Sequence, residues 1–196
     1  MRVEPGQPRW RLEEGAGSLT FVIPARRHWP VFLFLSLWIL GWAIGELLVP
    51  ARLLGRSREA GENSFMVVWL VAWTLGGLVA IYLWLWNLAG REIVTVREGT
   101  LAIRRAIDGL GRSREFDAAH IEGLRVASQL WNPWDPASRL RFWGVGGGTI
   151  AFDYGARTYR FGGALEEAEA RQMVARLARA LPAGATARKN PESESP

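Results

Sequence analysis

The glycines of "FWGVGGGTIAFDY", a stretch that begins at Phe142, are the first candidates for chemistry in this sequence. The run contains Gly144, Gly146, Gly147 and Gly148. Such runs cradle phosphates when they join a strand to a helix, because the N–H groups of the helix N-terminus then meet the anion. Here "TIAFDY" follows, which is a strand pattern, and there is no Gly-Lys-Ser/Thr sequence. The run is therefore predicted to be a hairpin turn and not a nucleotide site.

Other catalytic or metal-binding sets are absent from the sequence. The chain has no Cys, and its two imidazoles, His28 and His120, are far apart and outside any ligand-spaced cluster. No Ser is paired with a His for nucleophilic attack, and the aspartates sit at predicted turns and strand ends, where Asp is common. We therefore expect no enzymatic activity, no metal ion and no cofactor.

The composition separates an apolar segment from a charged remainder. The chain has 196 residues, 11 Trp, a formal net charge of +5 and 49% hydrophobic residues. Basic chains bind nucleic acids or anionic membranes. No recognition helix or aromatic RNA platform stands out, so we expect no nucleic-acid partner and interpret the charge as that of the cytoplasmic parts of a membrane protein.

Two long apolar runs predict a transmembrane hairpin over residues 29–90. The first run spans about residues 29–49 and ends before Pro50, and the second spans about residues 65–89. Each has the roughly 20 residues that a helix needs to cross the hydrocarbon core. The polar connection between them predicts that both termini lie on one side of the membrane.

The distribution of arginine predicts which side that is, because cytoplasmic loops carry an excess of Lys and Arg. Eight arginines flank the outer ends of the hairpin, against three in the connection. Both termini are therefore predicted to be cytoplasmic. The flanking set is Arg9, Arg11, Arg26, Arg27, Arg91, Arg97, Arg104 and Arg105, and the connection holds Arg52, Arg56 and Arg58.

Glu46 is the acidic residue at the margin of a predicted span. An intramembrane carboxylate is a functional candidate by default, in transport or proton relay. The alternative is that Glu46, four residues before Pro50, reaches the membrane interface. Gly76 and Gly77, in the middle of the second span, predict close helix packing.

After Gly90 the pattern changes to short strands separated by turns. Seven strands are predicted, followed by an amphipathic helix whose apolar stripe is Ala170, Met173, Val174, Leu177 and Leu181. The strand segments are "REIVTV", "TLAIRRAI", "RSREF", "HIEGLRVAS", "RLRFWG", "TIAFDY" and "RTYRFGG".

The domain boundaries follow from these patterns. Residues 1–28 form an N-terminal segment with a short strand at 18–24 that could pair with a sheet edge. Residues 91–182 form the β-domain, with 91–185 expected to fold alone, and residues 183–196 are expected to be disordered. The predicted fold class is an α+β membrane protein, a two-helix hairpin followed by a seven-stranded barrel or sandwich with a C-terminal capping helix.

The combination "IPARRHWPVFLFLSLWILGWAIGE", a second span, "EIVTVREGTLAIRR" and "GTIAFDYGARTYRFGGALEEAEARQMVARLARAL" resembles a known group. It is similar to uncharacterised bacterial membrane proteins with two transmembrane helices and a pleckstrin-homology-like (PH-like) domain. The resemblance covers about residues 18–182 and rests on element order and hydrophobic pattern. It implies a half-open, seven-stranded barrel capped by a helix, in the bacterial inner membrane, and it carries over no active-site residue.

Four arginines are candidates for contact with lipid or a partner. The hairpin "IRRAIDGLGRSR" is predicted to bring Arg104, Arg105, Arg112 and Arg114 close together across one turn. Near anionic headgroups each such charge contributes about 1 kcal/mol. The alternative is an ordinary solvated face.

Two tryptophans are further candidates. Pro133 and Pro136 prevent "QLWNPWDPAS" from continuing a strand ladder, so Trp131 and Trp134 are predicted to lie on a stiff loop. Indoles are enriched at binding hot spots, which favours contact with the membrane interface or a partner. The alternative is that both rings fold back onto the domain.

These features predict a non-enzymatic inner-membrane protein. Its cytoplasmic PH-like domain would serve protein or lipid-surface interaction and assembly, with membrane lipids and a protein partner or a second copy as ligands. The alternative is an accessory subunit of a larger membrane transport or energy-converting complex.

Overall fold

The computed structural model describes residues 8–54, 60–127 and 147–186. They divide into two compact units, a helical unit over Arg27–Leu88 and a β unit formed by the segments before and after it. Each unit has its own packing.

The helical unit contains the two apolar helices predicted from the sequence, α1 (Trp29–Leu54) and α2 (Ala60–Ala89). Their candidate spans, Trp29–Val49 and Ser64–Ala89, have mean hydropathies of 2.0 and 2.1. Only 6% and 17% of these spans are buried in the structure, so the described residues do not cover them as they would the core helix of a soluble protein. Both helices are long and apolar enough to cross a membrane.

The prediction that the first helix ends at Pro50 is wrong. Helix α1 continues through Pro50 to Leu54. Proline lacks an N–H, so the carbonyl of Glu46 loses its usual donor four residues on, but the remaining hydrogen bonds of the helix continue past this point.

The two helices pack antiparallel. Trp42 Nε1 donates to the carbonyl of Trp73 at 3.1 Å, and a Cβ placed on Gly77 would overlap the Trp42 ring. A small residue at this crossing is what lets the indole approach the backbone of α2. Hydrogen bonds join α1, and His28 just before it, to α2: His28 to Asn87, Ser36 to Trp84, Trp42 to Trp73 and Glu46 to Thr74.

Glu46 lies between the helices, whereas one interpretation of the sequence had it reaching the membrane interface. Thr74 Oγ1 lies 2.8 Å from Glu46 Oε1 as its hydrogen-bond donor. Glu46 Oε2 is buried and has no partner among the described residues. The side chain therefore faces α2.

The β unit contains eight strands in its described residues, where seven were predicted. They form a five-stranded antiparallel sheet in the order β1-β2-β3-β4-β5 and a three-stranded antiparallel sheet in the order β6-β7-β8. The strands are β1 (Arg11–Gly15), β2 (Ser18–Pro24), β3 (Gly90–Arg97), β4 (Thr100–Ile107), β5 (Leu110–Asp117), β6 (Ile121–Val126), β7 (Ile150–Tyr154) and β8 (Arg157–Phe161).

The described strands include one at the N-terminus that was not predicted, and one predicted strand falls outside the described residues. Strand β1 was not predicted, because "RLEEG" alternates weakly and only Leu12 is apolar. The segment 139–144, predicted as a strand, lies outside the described residues. The short strand predicted at 18–24 is β2, and it pairs along its whole length with β3.

Strand β2 belongs to the core of the β unit. Phe21 and Ile23 are fully buried, and Ala25 N donates to the carbonyl of Gly90 at 2.9 Å just beyond the paired strands. The whole sequence of the helical unit is therefore inserted between two adjacent strands of one sheet.

Helix α3 (Glu167–Ala180) closes the core with Ala170, Met173 and Leu177. After it, residues of the predicted disordered tail form a 3-10 turn, Ala183–Thr186, in which Ala185 is buried. Residues 187–196 lie outside the described part of the chain.

The N-terminal segment also packs on α3. Trp10 is buried against Phe21 with ring centroids 5.3 Å apart, and the Arg176 guanidinium lies 5.2 Å from the Trp10 ring centroid. Arg9 pairs with Glu166 at 2.9 Å. These contacts were not foreseen from the sequence, because they join residues about 160 positions apart.

The adjacent glycines of α2 give a matched pair of substitutions. Gly77→Ala should destabilise the helix pair by about 1–3 kcal/mol, since the added methyl overlaps the Trp42 ring and forces repacking. Gly76→Ala should be neutral or slightly stabilising, because a Cβ there meets no atom within 4 Å. Unfolding of the full chain by titration with SDS in mild detergent measures both, and equal effects would contradict the packing at Gly77.

The position of β2 changes which fragment should fold alone. Residues 8–26 joined to 89–186 by a short Gly-Ser linker should give a soluble, β-rich protein. Residues 89–186 alone should fail to fold, since they lack the buried Trp10, Phe21 and Ile23, and large core losses cost about 3–5 kcal/mol each for aromatic residues. Circular dichroism and thermal melting compare the two; an equal melting temperature would rule out the core role of β2.

Candidate binding cleft

The candidate site in the β unit is an open cleft of about 600 Å³. It lies between the outer strands of the two sheets, β5 and β8, together with the end of β7. We call it the β5–β8 cleft. Its lining residues are Arg114, Glu115, Phe116, Tyr154, Arg157, Thr158 and Tyr159.

Strand register decides which side chains of β5 enter the inner face. Leu101 is opposite Phe116, Ile103 is opposite Arg114, and Arg105 is opposite Arg112. Side chains opposite each other in an antiparallel pair lie on the same face of the sheet. Arg112 and Arg114 therefore lie on the face that buries Leu101 and Phe116.

The floor of the cleft is aromatic. The Phe116 ring lies 5.1 Å from Phe152, 5.4 Å from Tyr154 and 4.7 Å from Tyr159, in edge-to-face geometry each time. Phe116 and Phe152 are buried, while Tyr154 and Tyr159 are half-buried. The floor is thus fixed from below by the core and presents two tyrosines at the surface.

The walls of the cleft are basic. Arg114 and Arg157 line the cleft, and Arg112 lies beyond the lining, two residues before Arg114 on the same face of β5. All three are exposed, and their side chains make no ion pair or hydrogen bond with any residue that the structure describes. Glu115 is also at the cleft, but it lies opposite Ala102, on the other face of β5. The inward carboxylate of Glu92 pairs with Arg105, and no carboxylate of the described residues pairs with Arg112, Arg114 or Arg157.

The four candidate arginines were predicted to lie close together across one turn, but they do not all lie on one face of the sheet. Arg104 is opposite Ser113, on the outer face, and its guanidinium donates to the carbonyl of Gly109. Arg105 faces inward and pairs with Glu92. Of the four, Arg112 and Arg114 are the two that keep an unpaired charge on the inner face; the candidates Trp131 and Trp134 lie outside the described residues.

Glu92, a buried carboxylate that contacts Arg105, was not identified from the sequence. Its Oε1 accepts from Arg105 Nε at 3.1 Å, and its Oε2 accepts from the backbone N–H of Gly162 at 2.7 Å. Gly162 has a φ of 74°, a conformation that favours glycine. The two-residue alternation of Glu92 with the buried Val94 and Val96 was the available signal for an inward carboxylate.

One end of the aromatic floor borders an Asp–His pair. The pKa of Asp117 is lowered, chiefly by the hydrogen bond from the backbone N–H of Ala119; desolvation opposes this effect, and the hydrogen bond and charge of His120 lower the pKa further. His120 Nδ1 lies 3.1 Å from Asp117 Oδ2, and its ring centroid is 6.3 Å from that of Tyr154. Asp117 caps the 3-10 turn Ala118–His120, so the pair has a structural role.

The described part of the glycine run, Gly147 and Gly148, leads into β7. Gly147 has a φ of 68°, and a Cβ on Gly148 would overlap the backbone of Phe161. Strand β7 follows the run, so no helix N-terminus is available there for an anion. Among the residues that the structure describes, no group of three or more His, Cys, Asp or Glu could hold a metal ion.

Removing Glu92 should destabilise the β unit. Its side chain is 8% exposed, and Glu92→Ala leaves Arg105 and the Gly162 N–H without their partner, at a cost of about 3 kcal/mol. Glu122→Ala, at an exposed position of β6, is the matched control and should change stability by less than about 0.5 kcal/mol. Hydrogen–deuterium exchange of β3 and β8 peptides in the full chain reports the change. Unaltered protection in Glu92→Ala would show that Glu92 does not hold the two sheets together.

Comparison with known proteins does not indicate a function for this chain. No protein-family model, no curated protein and no solved structure matches this chain. Its function must therefore be inferred from its own residues.

Proposed function

We propose that this chain is a non-enzymatic protein of the bacterial inner membrane, whose cytoplasmic PH-like domain serves as a module for interaction and assembly. The observation that carries the proposal is the β5–β8 cleft. It combines an aromatic floor with Arg114 and Arg157, which have no partner among the described residues.

The arrangement of the β unit supports the PH-like part of the proposal. Strands β2 to β8 make seven strands, four in one sheet and three in the other, and α3 follows them in sequence. Seven strands followed by a helix are what the resemblance implies, although β2 precedes the helical unit here and β1 is an addition at the edge of the larger sheet. The first of these seven strands is β2, and the predicted strand at residues 139–144 lies outside the described residues.

The pairing of β2 with β3 supports two membrane crossings. Pro24 and Arg91 are partners in one sheet, and a sheet does not form across a bilayer, because its strands must lie side by side. Residues 8–26 and 89–186 therefore belong on the same side, which requires an even number of crossings. The excess of arginine on that side supports the cytoplasm.

A second function is favoured by the outer surface of α2. Gly76 lies in the middle of the candidate span and has open space around it, while large apolar side chains such as Leu75 and Val79 are exposed. A small residue on an open apolar face is suited to a neighbouring helix. The chain would then be an accessory subunit of a larger membrane transport or energy-converting complex.

Co-purification in mild detergent distinguishes the two functions. The double variant Arg114→Glu, Arg157→Glu should lose the partner if the cleft holds it, since the charge that attracts the partner is reversed. The variant Gly76→Leu should lose the partner if α2 holds it, because the added side chain prevents close helix approach. Quantitative mass spectrometry of the purified complexes gives the stoichiometry.

The outcomes separate clearly. Loss of a partner or of a homo-oligomer in the cleft variant alone supports the interaction module. Loss of a larger stoichiometric membrane partner in Gly76→Leu alone supports the accessory subunit. A partner retained in full by both variants contradicts both functions.

A further inference from the structure

We infer that the β5–β8 cleft binds an extended acidic segment of a partner protein, which adds to β5 as a further strand. The inference rests on the proposed function and specifies the partner's chemistry. It follows from three features of the cleft: strand edges that no described strand pairs with, a basic inner wall and an aromatic floor.

The strand edges provide the backbone part of the site. In the described structure β5 is the last strand of one sheet and β8 is the last strand of the other, and both border the cleft. An edge strand presents a row of N–H and C=O groups that an extended peptide can pair with. Strand β5 has eight residues, which is long enough for a peptide of six or seven.

The side chains of β5 set the sequence that would fit. Phe116 and Arg114 are two residues apart on the inner face, with Arg112 two residues further. Side chains of an added strand repeat on the same face every two residues. The inward positions of the peptide should therefore be one apolar residue opposite Phe116, then acidic residues opposite Arg114 and Arg112.

The opposite wall imposes the same order. Tyr159 contacts Phe116 with ring centroids 4.7 Å apart, and Arg157 lies two residues before Tyr159 on the same face of β8. An apolar peptide side chain thus meets Tyr159 and Phe116, and an acidic one lies between Arg114 and Arg157. The cleft selects for an apolar residue followed at two-residue steps by carboxylates.

A peptide fits these observations better than a lipid headgroup does. A headgroup would use the charge of Arg114 and Arg157 but leave the edge of β5 unpaired. An acidic extended peptide uses the backbone edge, the tyrosines and the arginines together. Binding of anionic vesicles in place of peptide is accordingly an outcome that would overturn the inference.

The experiment uses the full chain in detergent micelles and the fluorescein-labelled peptide Ser-Ile-Thr-Glu-Thr-Glu-Ser. Its inward positions are Ile, Glu and Glu. Fluorescence anisotropy should give micromolar binding that weakens with added salt. Two controls should bind at least about tenfold more weakly: a scrambled peptide that puts Ile and Glu on opposite faces, and a peptide methylated on alternate backbone nitrogens, which cannot pair with β5.

Charge reversal gives the matched protein variants. Arg114→Glu should weaken binding about tenfold, the effect of reversing one exposed ion pair. Arg104→Glu, on the outer face of the same hairpin, should change it less than about twofold. A peptide with Lys in place of both Glu should bind Arg114→Glu more tightly than it binds the unaltered chain, a rescue that a merely structural role of Arg114 cannot produce.

The inference is overturned if Arg104→Glu and Arg114→Glu weaken binding equally, if the methylated peptide binds as well as the unmodified one, or if anionic vesicles bind and the peptide does not. Failure of the inference is distinguishable from failure of the proposed function. If only the inference fails, a co-purifying partner is still lost in the double variant Arg114→Glu, Arg157→Glu. If the proposed function fails, that variant retains the partner.

Discussion

The buried carboxylate of Glu92 is the contact on which the β unit depends. One oxygen binds Arg105 within the larger sheet, and the other binds the N–H of Gly162 at the end of β8. Arg105 lies directly opposite Arg112, and like charges in that position destabilise a sheet. By neutralising Arg105, Glu92 removes this repulsion and joins the two sheets, while Arg112 and Arg114 have no ion pair among the described residues.

The helical unit is also held together by a few specific contacts. Its side chains gain nothing from burying apolar surface if lipid surrounds them, so close packing and polar contacts must hold the helices together. Gly77 admits the Trp42 ring, whose N–H reaches the carbonyl of Trp73, and Thr74 binds Glu46. The chain leaves the sheet of the β unit after β2 and returns to it at β3, so the helical unit is an insertion in the sequence of the β unit.

The hydrophobic pattern predicted the helices and strands whose formation depends on local sequence. It did not predict the features that depend on contacts with residues far away in the sequence. Charge-free runs gave both apolar helices, and two-residue alternation gave six of the described strands. Strand β1 was missed because its order comes from pairing with β2 and from contacts of Trp10 with α3. Turn proximity alone suggested that Arg104 and Arg112 lie together, but strand period places them on opposite faces. Glu92 and the direction of Glu46 depend on partners 70 and 28 residues away.

The cleft is also where the chain departs most from the rule that inward strand positions are apolar. Glu92 and Arg105 break the rule but compensate each other. Arg112, Arg114 and Arg157 break it without compensation among the described residues, and three cations near one another raise the free energy of the folded state. Proteins tolerate such local violations mainly at functional sites. An incoming carboxylate would relieve the repulsion, so the same charges that weaken the empty domain would contribute to the affinity of an acidic ligand.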